Sequence, residues 1–324
     1  RLYANYIRAI AAFAVVQMHS VGEYLYWFKP ETSTDIRFLT ADAYYSLLRW
    51  ATPFFIMLSG MLNLNPSKPE PTGVFLRKRL SRVLIPFSFW AVIYLTYEYR
   101  AELWFGQPLP WPAIWKKIFY EDVYFHLWFI PMITGMYLLT PTFRIFIKNA
   151  QRRDIEYFLV LCFCFTALQH FIPSFFVVKY IGWLGYIGFY VLGYYLSTYT
   201  ISWKNILYPL ALLMPPLTAY LTWQFSVQAG AYDRPAFAVR YPRLNHAINR
   251  LSDLSYGVYF IHVLLLDVLK NGYIFNLHLT SITFFNHPIH PAPGAFLQAV
   301  IVFLLATAII NLLSRVPGLN KLLM

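Results

Sequence analysis

The residues best equipped for chemistry lie in one stretch, Tyr6-Ile-Arg8-Ala-Ile-Ala-Ala-Phe-Ala-Val-Val-Gln-Met-His19-Ser20. A guanidinium stays charged throughout the physiological range, whereas an imidazole takes up and releases a proton near neutrality. Ionisable groups within an apolar run are costly, and they usually line a polar cavity or pathway. Arg8 and His19 are eleven positions apart. On a helix of 3.6 residues per turn that spacing returns to nearly the same face, about 16 Å further along. Glu23, one turn past His19, either orients the imidazole through its other nitrogen or sits in water at the end of the helix. The plainer alternative is a snorkelling arginine and a histidine satisfied by its neighbours.

Four further stretches carry polar residues of the same kind. In Arg49-Trp-Ala-Thr-Pro53-Phe-Phe-Ile-Met-Leu-Ser59-Gly60, Ser59 is a candidate ligand group, and Ser59 with Gly60 equally suits close helix approach. Arg77-Lys78-Arg79-Leu-Ser-Arg82 packs four cations into six residues, with Arg79 and Arg82 at i, i+3 on one face, a spacing suited to phosphate oxygens. Topological charge against anionic lipid explains the same cluster otherwise. His126-Leu-Trp128-Phe-Ile-Pro131 offers an imidazole and an indole at the start of an apolar run, where Trp is commonly an interfacial anchor. Ser255-Tyr256-Gly257-Val-Tyr259-Phe-Ile-His262 adds another imidazole, which lines the same cavity as His19 or is satisfied within the bundle. Cys162 and Cys164, two apart, point to different faces of a helix, so neither a disulfide nor a metal site is expected of them.

The elements that hold these groups follow from composition. The 324 residues are 59% hydrophobic, 20% aromatic and only 12% charged, where a soluble domain carries about 25% charged residues. So little charge cannot cover a surface facing water, and the chain needs lipid as its solvent. Crossing the hydrocarbon takes about 20 apolar residues. Spans are expected near 4–27, 44–63, 83–99, 127–147, 156–172, 181–199, 205–223, 254–270 and 295–313. The expected fold is therefore an all-α, polytopic bundle forming one integral-membrane domain over residues 1–324, with nine helices clear in the sequence and about ten in all. The first apolar run has no small-residue cleavage site and is read as a spanning helix rather than a signal peptide. Because the chain opens at Arg1, a few further residues are expected ahead of it.

The net charge of +12 does not point to nucleic acid, because the cations fall in short loops between apolar runs. The basic stretches 75–82 and 144–153 share a side, which the positive-inside rule makes cytoplasmic together with the N-terminus. Loops 28–43, 100–125 and 271–292, which carry Asp35, Asp42, Glu102, Glu121 and Asp122, then face the opposite side. Arg234, Arg240, Arg243 and Arg250 conflict with a nine-span count, so a tenth crossing is expected between 224 and 245, unless residues of the native chain are absent there.

Taken together, the five stretches resemble the acyltransferase-3 family of bacterial membrane O-acyltransferases. The resemblance is to its single-domain subgroup, which includes the enterobacterial common antigen O-acetyltransferase and exopolysaccharide acetyltransferases. It runs from Arg8 to about His262, and its most specific element is Arg-x10-His, matched by Arg8 and His19. The resemblance implies a catalytic His19 assisted by Arg8, with acetyl-CoA as co-substrate and no metal. It further implies that Lys78, Arg79 and Arg82, with Ser59, hold the acyl-CoA on the cytoplasmic side. Arg49, Glu23, His126, Trp128, Tyr256 and His262 then belong to the acceptor site or its cavity, and the acceptor is a cell-surface or lipid-linked saccharide. The implied location is the bacterial inner membrane, in contact with lipid and without nucleic acid. Two positions depart from the family pattern: Asn5 stands where Asp is frequent, and no Glu follows Trp128. His19 serves as general base or as nucleophile; the residues leave both open. The rival class is a secondary transporter of a small polar or anionic solute, which also uses intramembrane His and Arg. No internal two-fold symmetry of broken helices supports it. Oligomeric state and the acceptor hydroxyl are not written in the residues.

Overall fold

In a computed structural model, the residues described are 2–27, 35–66, 70–119, 123–171, 183–200 and 245–323. They form helices α1 (Leu2–Trp27), α2 (Ile36–Leu48), α3 (Ala51–Asn63), α4 (Thr72–Glu98), α5 (Arg100–Trp104), α6 (Trp111–Phe119), α7 (Phe129–Asn149), α8 (Arg152–Phe171), α9 (Trp183–Thr198), α10 (Asn245–Lys270), α11 (Pro291–Leu313) and α12 (Asn320–Leu323). A two-residue antiparallel hairpin, β1 (Thr283–Phe284) with β2 (His287–Pro288), lies between α10 and α11. The protein is thus all-α. Among the described residues, α4, α7, Leu251–Lys270 of α10, and α11 are long and apolar enough to cross a membrane. Their outward faces carry exposed side chains such as Leu84, Val92, Leu138, Ile145, Leu304 and Leu312, a lining suited to lipid. The expected span 205–223 and the expected crossing between 224 and 245 lie outside the described residues.

Two expected boundaries move for a backbone reason. The single span 44–63 is two helices, α2 and α3, separated by a turn at Arg49 and Trp50. Pro53 has no N–H to give the Arg49 carbonyl, and its ring would crowd that carbonyl in a continuous helix. The chain breaks there, and the Arg49 N–H turns back to the Ser46 carbonyl at 3.4 Å. The basic stretch 77–82 is likewise no loop. Pro71, with φ −54°, caps the start of α4 nearly two turns ahead of it, so the cations occupy the first turns of a 27-residue helix. Residues 36–43 of the expected loop 28–43 are helical: Asp42 is buried inside α2, whose N-cap is Asp35, accepting from the Arg37 backbone N–H at 2.7 Å. This bond and the Arg37 side chain hold the Asp35 carboxyl below its ordinary range.

The fold gathers two compact units. The first comprises Arg1–Ser59 with Tyr195–Asn311, the second Gly60–Tyr194 with Leu312–Met324. In the first, α1 packs along α10 and α2. Buried alanines at 9, 11, 12 and 14 keep the α1 surface low, so neighbouring backbones come close. Its core joins Ala11, Ala14, Val15 and Val21 to Phe38, Ala41 and Leu48 of α2 and to Ala295 of α11. In the second unit α4 packs on α7 and on α12. There α3 meets α9 at Gly60, where a Cβ would stand 1.7 Å from the Tyr190 carbonyl oxygen; only glycine fits. That approach agrees with the packing reading of Ser59-Gly60. Cys162 is buried and Cys164 exposed, both as free thiols on α8.

Candidate active site

One stripe of α1 in the first unit meets polar groups of α10 and α11 at three levels. At the first level, Arg8 Nη1 donates to Ser252 Oγ at 2.9 Å and to Asn5 Oδ1 at 3.2 Å, and Ser252 Oγ donates to Asn5 Oδ1 at 3.3 Å. Asn5, one turn before Arg8, is therefore a working partner of the guanidinium. At the second level, His19 Nδ1 lies 2.7 Å from His262 Nε2, with the two rings stacked 4.9 Å apart and 14° from parallel. At the third level, Gln298 Nε2 donates to Glu23 Oε2 at 3.2 Å and to the Leu279 carbonyl at 3.1 Å. The His19 imidazole is thus held by His262, and Glu23 is engaged instead with Gln298.

The middle level assigns the protons. His262 Nδ1 lies 3.1 Å from the Val258 carbonyl, which only accepts, so Nδ1 carries the hydrogen. In a neutral ring Nε2 then has a lone pair, and it accepts from His19 Nδ1–H. His19 is left with its own lone pair on Nε2. A ring so fixed is ready to take a proton or to attack a carbonyl through that one nitrogen. His262 is fully buried, and Tyr259 stands against it with ring centroids 6.2 Å apart. Tyr256 stacks in turn on Tyr259 at 6.4 Å, so the α10 motif forms one aromatic wall.

Arg49 is buried at the end of α2, its guanidinium carbon 4.6 Å above the Tyr45 ring. One and two turns back on α2 are Ser46 and Asp42, also buried. Ser59 is half-buried in α3.

The second unit holds the remaining sequence candidates. On α4, Lys78 pairs with Glu70 at 3.1 Å, and Arg79 lies 5.7 Å from the centre of the buried Phe75 ring. Arg144 of α7 covers the same ring at 4.4 Å and donates through Nε to the Asn63 carbonyl at 2.7 Å. Two half-buried guanidiniums from two helices thus converge on one ring, with Glu70 nearby; Arg77 and Arg82 are exposed. The hydrogen bond from Lys78 holds the Glu70 carboxyl below its ordinary range, and Arg79 and Arg144 act in the same direction. His126 is buried among Tyr94, Tyr124 and Phe125, with ring centroids 5.1, 5.8 and 5.7 Å away, and Trp128 packs on Tyr186 at 5.7 Å.

The geometry therefore pairs His19 with His262 and Arg8 with Ser252, and it leaves Arg8 and His19 separated along α1. It also adds residues that reading the sequence missed: Gln298, Arg144, Glu70, Asp42 and Ser46. Gln298 had a legible signal, an amide in the first half of a 23-residue apolar helix. Asp42, Ser46 and Arg49 had one too, the spacing i, i+4, i+7. Arg144 had none, since its partner ring is some seventy residues away.

The acyltransferase-3 family model, described as an acyltransferase domain, matches residues 1–315. Over 209 residues the chain is 31% identical to YfiQ of Bacillus subtilis (strain 168), named as a candidate membrane-bound acyltransferase. That match covers 58% of this chain and 54% of YfiQ, so the chain spans about half the length of this curated relative. No solved structure matches the chain.

Proposed function

The chain belongs to the acyltransferase-3 family, and from that premise we propose that it moves an acetyl group from cytoplasmic acetyl-CoA to a hydroxyl of a cell-surface or lipid-linked saccharide. The enzyme sits in the bacterial inner membrane with its N-terminus in the cytoplasm. One observation supports the chemistry above all: the His262–His19 contact at 2.7 Å, which leaves the His19 lone pair on Nε2.

A thioester is already activated, so the enzyme has to ready the nucleophile and steady the tetrahedral oxyanion. In direct transfer, His19 Nε2 takes the proton of the acceptor hydroxyl as its oxygen bonds to the acetyl carbonyl carbon. The carbon–sulfur bond then breaks, and the departing thiolate takes the proton back from His19. In the two-step variant, His19 Nε2 itself attacks the carbonyl, the carbon–sulfur bond breaks and CoA leaves as the thiolate. The acceptor oxygen then displaces the imidazole, which takes the acceptor hydroxyl's proton on the freed Nε2. In both, His262 Nε2 accepts from His19 Nδ1–H and steadies the ring as its charge rises. Lys78, Arg79 and Arg82 suit the donor's phosphates, with Ser59 a further donor contact. Arg49, Glu23, His126, Trp128 and Tyr256 serve the acceptor side or its cavity, and Arg8, tied to Ser252, steadies the thioester end.

The test uses membranes carrying the wild-type protein or His19→Ala, supplied with labelled acetyl-CoA and with glycans from a strain lacking the gene. His19→Ala is expected to remain in the membrane and transfer no label. Transfer at the wild-type rate would falsify the assignment.

A further inference from the structure

We propose that Asp42, Ser46 and Arg49 form the hydroxyl-binding subsite for the acceptor, a role that rests on the acyl-transfer reading above and refines it. The three positions fall at i, i+4 and i+7, on one face of α2 ending at its C-cap. All are buried, with exposures of 2%, 0% and 8%. Among the described residues, Asp42 Oδ1 and Ser46 Oγ nevertheless have no hydrogen-bond partner. Buried polar atoms are almost always paired in folded proteins, and an orphaned carboxylate oxygen is among the costlier exceptions. Two such atoms one turn apart, beside a buried guanidinium, mark a place built for a polar guest.

The chemistry of the three groups selects that guest. A carboxylate only accepts hydrogen bonds, a guanidinium only donates, and a serine hydroxyl does both. An anion offers Asp42 no hydrogen to accept, and an acyl chain would leave Asp42 Oδ1 and Ser46 Oγ unsatisfied. A neutral polyhydroxylated ring answers all three: one hydroxyl donates to Asp42 Oδ1, a neighbouring oxygen accepts from Arg49, and Ser46 exchanges with either.

Position supports the same reading. Gln17 Nε2 donates to Tyr44 Oη at 2.8 Å, and a Cβ on Gly22 would stand 3.4 Å from the Tyr45 ring that carries Arg49. The segment of α1 holding His19 therefore lies directly along α2.

The experiment measures acetyl transfer in membranes, with labelled acetyl-CoA as donor and the glycan fraction of the deletion strain as acceptor, for Asp42→Asn and Ser46→Ala. Asparagine keeps the shape and removes the charge. Asp42→Asn is expected to raise KM for the glycan fraction by about tenfold or more, the loss typical of one hydrogen bond to a charged group. KM for acetyl-CoA should stay within about twofold, and Ser46→Ala should give a smaller rise in the glycan KM alone. Unchanged glycan KM in both variants overturns the subsite, since bound water would then suffice for the orphaned atoms. Equal rises in both KM values overturn it as well, because they report a general packing defect. If wild-type membranes transfer no label, or His19→Ala transfers as much, the acyl-transfer reading itself falls and the subsite with it.

Discussion

The proton assignment at His19 makes His262→Phe the most informative perturbation. Phenylalanine keeps a flat ring, so it preserves the stacking at 4.9 Å and 14°, but it has no nitrogen to accept from His19 Nδ1–H. That N–H, on the half-buried His19 ring, would lose its 2.7 Å partner on the inward side, where His262 is fully buried. An unsatisfied buried donor costs about 1–3 kcal/mol. If the cost falls on the transition state, kcat/KM drops by a factor of about 5 to 150. The imidazole also loses what distinguishes its two tautomers, so part of the population presents an N–H at Nε2 and is idle. His262→Gln restores an acceptor oxygen and should recover part of the loss. Acetyl transfer in membranes, with protein amounts matched by immunoblot, measures both variants, and KM for acetyl-CoA is expected to stay near wild type. Full activity in His262→Phe, or equal losses in the Phe and Gln variants, would refute the reasoning, because neither outcome depends on an acceptor nitrogen.

Two further outcomes are expected. Arg79→Gln and Arg82→Gln should each weaken CoA binding to the purified protein by roughly threefold to tenfold, an effect that shrinks as salt is raised because Arg79 is only half-buried and Arg82 is exposed. Calorimetry at two salt concentrations measures this, and wild-type affinity in both variants would remove the phosphate role proposed for them. Gly60→Ala places a methyl against the Tyr190 backbone oxygen, which no rotamer can move aside. The variant should lose about 1–3 kcal/mol of stability and melt at a lower temperature in detergent; an unchanged melting temperature would mean that α3 and α9 part freely.

Hydropathy alone was enough to reveal a helical membrane protein, because an apolar run of some twenty residues records its own solvent in every residue. Likewise the spacing of Arg8 and His19 already placed both on one stripe of α1, since helical phase is a property of one segment. Basic residues at 77–82 were visible as a cluster, yet their helical state depended on where Pro71 starts α4. Pro53 stood in the sequence, but its effect was felt at Arg49, one turn earlier, where it split an apparently continuous span and left Asp42 buried on α2. What the chain could not disclose was partnership between distant elements. His262 lies 243 residues from His19, Gln298 lies 275 from Glu23, and Arg144 lies 81 from the carbonyl it binds. Local patterning sets which face of a helix is polar. Only the packing of small alanines against α10 and α2 decides which polar face meets which, and hence which imidazole nitrogen keeps the lone pair.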